Sequence, residues 1–241
     1  MNEKNVSGLF FLGLFLAIGM SLGGYFIGQT MYNAKVALNT AEAKGLAERR
    51  VEADRANWQI NFSVASSKQA DIPNLYKKSE EIQDKITTLL KEQGFDENEI
   101  KPGIIDYRYT EYRDDKQILV DQRHTLTGTI SVETGKVKQI AGARTEINKL
   151  IAQGINIENL APTYHFTKLN EIKPDMLREA TQNARIAANE FAKNAGAHVG
   201  RIRSAQQGNF YIRDAGEEYG DTAKIEKDVR VVTTITFYLT D

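Results

Sequence analysis

The sequence predicts an α+β fold: two β-α-β-β units joined by a helix, with antiparallel sheets packed against helices behind an N-terminal transmembrane helix. Three observations carry this. Val6 to Tyr32 holds no charged residue. After Gly45, apolar residues recur alternately at the two-residue period of strands and the three-to-four-residue period of helices. Their order is strand, helix, strand, strand, twice over with one helix between. The closing strand is the clearest element, because Val229, Val231, Thr233, Ile235, Phe237 and Leu239 share one parity.

Composition narrows the functional classes before any motif is weighed. In 241 residues, 31 Lys and Arg are interspersed with 32 Asp and Glu, for a formal charge of −1. No basic field exists to hold nucleic acid, and no acidic arm to solvate a partner. The absence of cysteine removes disulfides, thiolate zinc sites and cysteine nucleophiles.

In chain order, residues 1–33 read as a membrane anchor with a short cytoplasmic tail, embedded through residues 6–32. The apolar run Leu9 to Ile27 would span about 28 Å as a helix at roughly 1.5 Å per residue, enough for a bilayer core. A cleaved signal peptide is the alternative, but Ala41-Glu42-Ala43 comes late for a processing site. Lys4 on one side and Lys35, Lys44, Arg49 and Arg50 on the other give no clean charge asymmetry. The short leading tail favours a single-pass inner-membrane protein whose globular part is periplasmic. Within the leader, Gly19 with Gly23 and Gly24 with Gly28 repeat at the GxxxG spacing by which helices approach closely in lipid. Glycine is also simply common in membrane helices.

Residues 34–44 are alanine-rich and polar with no apolar stripe, and read as a stalk; the folded domain is expected over 45–241. Trp58, Ile60, Phe62 and Val64 share one strand face, whereas Val51 and Ala53 lie on the other parity, so a bulge is expected near Asp54 to Ala56. Ile72, Leu75, Ser79, Ile82, Ile86 and Leu89 recur at helical spacing, with Asp71 as N-cap, Pro73 in the first turn and Gly94 as the stop. A hairpin follows, with Ile105, Tyr107 and Tyr109 on one strand, a turn at Asp114-Asp115-Lys116, and Ile118, Val120, Leu126, Ile130 and Val132 inward on the other. A second helix runs from Val137 to Ile151 and stops at Gly154. Then come a strand over 155–168, a helix entered through Pro174 and ended at Gly196, and strands over 198–212 and 227–240. That last helix is built on alanine. Leu177, Ala180, Ala184, Ala188, Phe191 and Ala195 are expected on its inward stripe, so that it lies close against a sheet that supplies the bulk.

Three stretches, GLAERRVEADRANWQINFSV at 45–64, EATQNARIAANEFAKNAGAHVGRIRSAQQGNFYI at 179–212 and VRVVTTITFYL at 229–239, resemble the SIMPL domain proteins. The most specific piece is the alanine helix leading into Gly196-x-x-x-Gly200-x-Ile202 and then Gln207-Gly208. The resemblance implies an exported α+β envelope protein that tends to self-associate, with no agreed catalytic residue. Many relatives carry a proline near the kink of the first strand, where this chain has Ala53-Asp54-Arg55.

No motif adds chemistry to this. His124, His165 and His198 are too scattered for a metal site, although His124 falls on the inward parity of its strand. No serine lies in a G-x-S-x-G or S-x-x-K setting, and Asp114-Asp115 and Glu217-Glu218 sit in turns. Residues 213–228 are polar and longer than a hairpin needs, which reads as a mobile loop or an assembly contact. Gln206, Gln207 and Phe210 are candidates for a ligand or assembly contact, although Gly208 beside them favours a structural reading, a bulge or a close backbone approach.

The expectation is a non-catalytic structural or interaction module of the cell envelope. It would have no cofactor, no metal and no nucleic acid, and would act as a homo-oligomer or by docking an envelope protein. The alternative is a small-ligand or glycan binding module, with an enzyme third.

Overall fold

The computed structural model describes residues 3–36 and 39–240. Residues 1–2 of the expected cytoplasmic tail, 37–38 of the expected stalk and the final residue 241 lie outside the described residues. The chain opens with helix α1 (Glu3–Val36), followed by strand β1 (Thr40–Glu52). The reading of 34–44 as a stalk is therefore corrected, since its described residues divide between that helix and that strand. Ala43, Gly45 and Ala47 alternate inward on β1. Their small size hid the strand, because an alternation of alanine and glycine carries almost no hydrophobic contrast.

Two compact units follow. One comprises the chain up to Ala47, Pro174–Phe210 and the chain from Val231 onward; the other comprises Glu48–Lys173 and Tyr211–Arg230. The second unit holds strand β2 (Arg55–Ser66), helix α2 (Ile72–Glu92), strands β3 (Ile100–Pro102), β4 (Asp106–Arg113) and β5 (Leu119–Thr134), helix α3 (Ile140–Ala152), and strands β6 (Ile157–Asn159) and β7 (Thr163–His165). Their antiparallel sheet has the order β3-β5-β2-β6, with β4 also on β5 and β7 also on β2. At its centre β2 and β5 pair without interruption from Ala56↔Thr134 to Ser66↔His124. Trp58, Ile60 and Phe62 from β2, Leu126, Ile130 and Val132 from β5, and Ile82, Ile86, Leu90, Ile140, Ile147 and Leu150 from the two helices form one buried core. Each such side chain contributes about 1.5–3 kcal/mol by leaving water.

The expected break of phase exists as a gap between two strands. Ala53 N–H donates to the Ile225 carbonyl at 2.7 Å and Asp54 N–H to that of His165 at 3.0 Å. The Asp54 carboxylate accepts the N–H and hydroxyl of Thr167 at 2.6 and 2.7 Å, which holds the kink without a proline. Helix α2 stops at Gly94, whose φ of +89° is left-handed backbone that glycine adopts without strain. The single strand expected over 155–168 is two three-residue strands, β6 and β7, separated by a segment containing Pro162, which has no N–H to give to a ladder.

The first unit is built on helix α4 (Leu169–Asn194), strand β8 (His198–Gln207) and strand β10 (Glu226–Thr240). The sheet runs β1-β10-β8, and β9 (Tyr211–Asp214) pairs with the start of β10. Helix α4 begins five residues before Pro174 rather than at it. Its buried residues are Met176, Ala180, Ala184, Ala188 and Ala192. The strand–helix–strand–strand order holds, and β1, α4 and β10 each give residues to both units.

Candidate functional site

No residue of helix α1 is buried over Phe10–Tyr32, a 23-residue stretch long and apolar enough to cross a membrane. It fits a single-pass anchor and equally a signal sequence. Gly19, Gly23, Gly24 and Gly28 lie on it with nothing within 4 Å of where a β-carbon would stand, so their surface is open.

The stretch around α4 answers the question that its alanines raise. A β-carbon added to Gly45 of β1 would stand 1.8 Å from the Ala180 carbonyl oxygen and 2.4 Å from the Ala184 nitrogen. Strand and helix backbones are thus in contact, which only glycine facing alanine permits. Ala43, Ala184, Ala188, Ile235 and Phe237 make the buried cluster there. Asn183 donates to the Leu46 carbonyl at 2.7 Å, and the Arg185 guanidinium lies 5.7 Å from the Phe237 ring centre. Phe191, expected inward, is 62% exposed. Burial follows a four-residue step along α4, and Phe191 is one position out of that phase.

Gln206 and Gln207 end β8, opposite Thr234 and Thr233 of β10, and both are exposed; Phe210 is half-buried. Gly208 N–H donates to the Val232 carbonyl at 2.9 Å, and a β-carbon there would stand 2.4 Å from that oxygen. The glycine therefore marks a close backbone approach. The three expected contact residues flank this close approach.

Residues 213–228, read as a mobile loop or an assembly contact, carry an internal hydrogen-bond network around Asp214. Lys227 is 0% exposed and its ammonium donates to Asp214 at 2.5 Å and to the Asp221 carbonyl at 2.8 Å. The Asp214 carboxylate also accepts the N–H groups of Ala223 and Lys224 at 2.8 and 3.1 Å. Burial works to raise the pKa of the Asp214 carboxyl, but the Lys227 ammonium and these two amides outweigh it and hold the carboxyl below its usual range. Beside it, Arg50 grips Asp228 bidentately at 2.8 and 3.0 Å, and this hydrogen-bonded pairing depresses the Asp228 carboxyl.

The SIMPL family model, described as a protein of unknown function (DUF541), matches residues 42–237. The chain belongs to the SIMPL family. No curated protein matches it.

The remaining candidates in this SIMPL domain are the aromatic and polar faces of the second unit. His124 is buried, its Nδ1 sharing a hydrogen bond with the Tyr107 hydroxyl at 2.7 Å and its ring stacked 4.9 Å from that of Tyr109. Its Nε2 is buried without a partner. His165 lies on β7 and His198 on β8, far apart in the chain, and among the described residues no three His, Asp or Glu stand close enough to hold a metal ion. On the face of the sheet turned away from its helices, Asn61, Ser63, Thr125, Thr127, Asn156 and Glu158 line an open groove of about 340 Å³. The sequence singled out neither this groove nor the Asp214–Lys227 pair. Ile118 and Val120, expected in the core, are 59% and 64% exposed. They lie on the part of the hairpin beyond His124, where β2 no longer pairs with β5.

Proposed function

We propose that this protein is a membrane-tethered, extracytoplasmic SIMPL module that works without turnover, by assembling with further copies or docking an envelope protein. The observation that carries this reading is the pair of long exposed edge strands, β8 and β4. Every residue of β4 except Thr110 is exposed, and β8 is exposed along most of its length. Unpaired edges are templates for strand addition, and natural proteins normally cover them or guard them. The apolar helix α1 supports the tether. Light scattering of the full chain in detergent micelles is expected to give a mass of at least two copies; a monomer at high concentration, with no partner recovered after cross-linking in cells, overturns the reading. Protease added to spheroplasts is expected to digest the globular part, and full protection would refute its placement outside the cytoplasm.

A second reading, glycan or small-ligand binding, is favoured by the groove along Asn61, Ser63, Thr125 and Thr127, whose amides and hydroxyls suit sugar hydroxyls. Saturable binding of a cell-wall oligosaccharide, lost in Asn61→Ala, is the outcome that would raise it above the first.

A further inference from the structure

We infer that strand β4 joins a second copy of this chain, antiparallel and about a two-fold axis through Thr110, so that the sheet of the second unit continues across two molecules. This rests on the reading of the protein as a self-assembling module and names its surface. Strand β4 pairs on one side with β5, from Asp106↔Thr127 to Arg113↔Leu119, and nothing among the described residues pairs with its other side. Beyond His124, β5 has lost β2, so residues 119–123 and their β4 partners form a bare two-stranded arm. Such a ribbon is marginal alone in water. This one also exposes Tyr112, Ile118 and Val120, and the adjoining part of β4 exposes Tyr107 and Tyr109.

The sequence of the edge selects the partner. Two copies related by a two-fold axis normal to the sheet oppose residues equally far from the central one, and opposed residues share a face. Centred on Thr110, the register sets threonine against threonine, Tyr109 against Glu111, Arg108 against Tyr112 and Tyr107 against Arg113. Each guanidinium then faces a phenol ring, a favourable cation–π pairing. Each Tyr109 hydroxyl, which now donates to its own Glu111 at 3.0 Å, can donate instead to the Glu111 of the second copy. Centring on Arg108 or Glu111 opposes like charges, and centring on Tyr109 leaves both arginines without a ring. On another long edge, β8, registers centred on Arg201, Ile202 or Arg203 bring arginine against arginine.

The chain has no cysteine, so a single introduced thiol reports the contact. The full chain carrying Thr110→Cys, in detergent micelles with a mild oxidant or a short bis-maleimide, is expected to give a covalent dimer quickly. Ile202→Cys on β8, the centre of a register that opposes Arg201 to Arg203, is expected to give little. The exposed variant Tyr112→Arg sets arginine against Arg108 twice and should weaken the dimer roughly tenfold, at the fraction of a kcal/mol to 1 kcal/mol typical of each cross-strand pair. Exchanging the two residues, Arg108→Tyr with Tyr112→Arg, should restore it. If Thr110→Cys fails to cross-link while light scattering still shows a multimer, this edge is not the interface, and the module reading stands. A monomeric chain removes this interface, and if no partner is recovered after cross-linking in cells it removes the module reading as well. Cross-linking at Thr110 without rescue by the exchange overturns the register.

Discussion

Lys227 and Asp214 occupy directly opposed positions on β10 and β9, and burying both leaves each dependent on the other. Removing one charge from such a pair strands the other in a low-dielectric site, so Asp214→Ala should cost about 3–5 kcal/mol, read as a fall in the urea midpoint. A loss below 1 kcal/mol would mean that water reaches Lys227. Asp54, Glu99, Asp214 and Asp228 all titrate below their usual range. For Asp54, Glu99 and Asp214, burial is the largest influence and acts upward, against hydrogen bonds from Thr167, Thr134 and Lys227 among others; for Asp228 the Arg50 bond leads. A carboxyl depressed in the folded state adds stability that is complete above its unfolded value near 4 and is lost as pH falls through the folded value. Denaturant midpoints should therefore hold level from about pH 7 to 5 and fall below about pH 4. A flat curve down to pH 3 would contradict the hydrogen-bonding assigned to these groups. None of this was legible in the sequence, where Asp214 and Lys227 stand among the polar residues of RDAGEEYGDTAKIEKD and look solvated. Burial of a charge is decided by what folds over it, which no local pattern records.

Helices and strands were legible where their period carried contrast. The even spacing of β10 and the stripe of α2 came through because large apolar residues alternate there with polar ones. The part of β1 before Val51 carries no such contrast, because its inward residues are Ala43, Gly45 and Ala47. Ile118 and Val120 were misplaced because parity tells which face a residue is on, and says nothing of whether a helix or a third strand covers that face. The contact of β1 with α4 is the tightest place in the first unit, and it sets a prediction for those elements. Gly45→Ala drives a β-carbon into the backbone of α4, where no rotamer relieves it, and should cost about 3 kcal/mol; Ala184→Leu should cost about 1–3 kcal/mol by overpacking. Thermal midpoints check both. Wild-type stability in Gly45→Ala would show that helix and strand separate freely.

For the molecule as a whole, the leader and the domain make independent claims. Full-length chain should stay in the membrane pellet after alkaline extraction, whereas a chain lacking residues 1–36 should not, because α1 is the one described helix long and apolar enough to cross a bilayer. Soluble full-length protein would indicate that α1 is removed or does not insert. Each compact unit is assembled from segments distant in the chain, and both draw on β9, β10 or the residues around them near the C-terminus. A truncation after Arg230 would strip Val231, Ile235 and Phe237 from the first unit. The timing of biogenesis follows. While β10 is still being translated, the nascent polypeptide's cluster of Ala184 and Ala188 lacks Ile235 and Phe237 and cannot close, whereas Trp58 and Phe62 already have the buried neighbours of their own cluster, which ends at Tyr164. Such a polypeptide depends on holding chaperones, and its yield in the cell should track their supply.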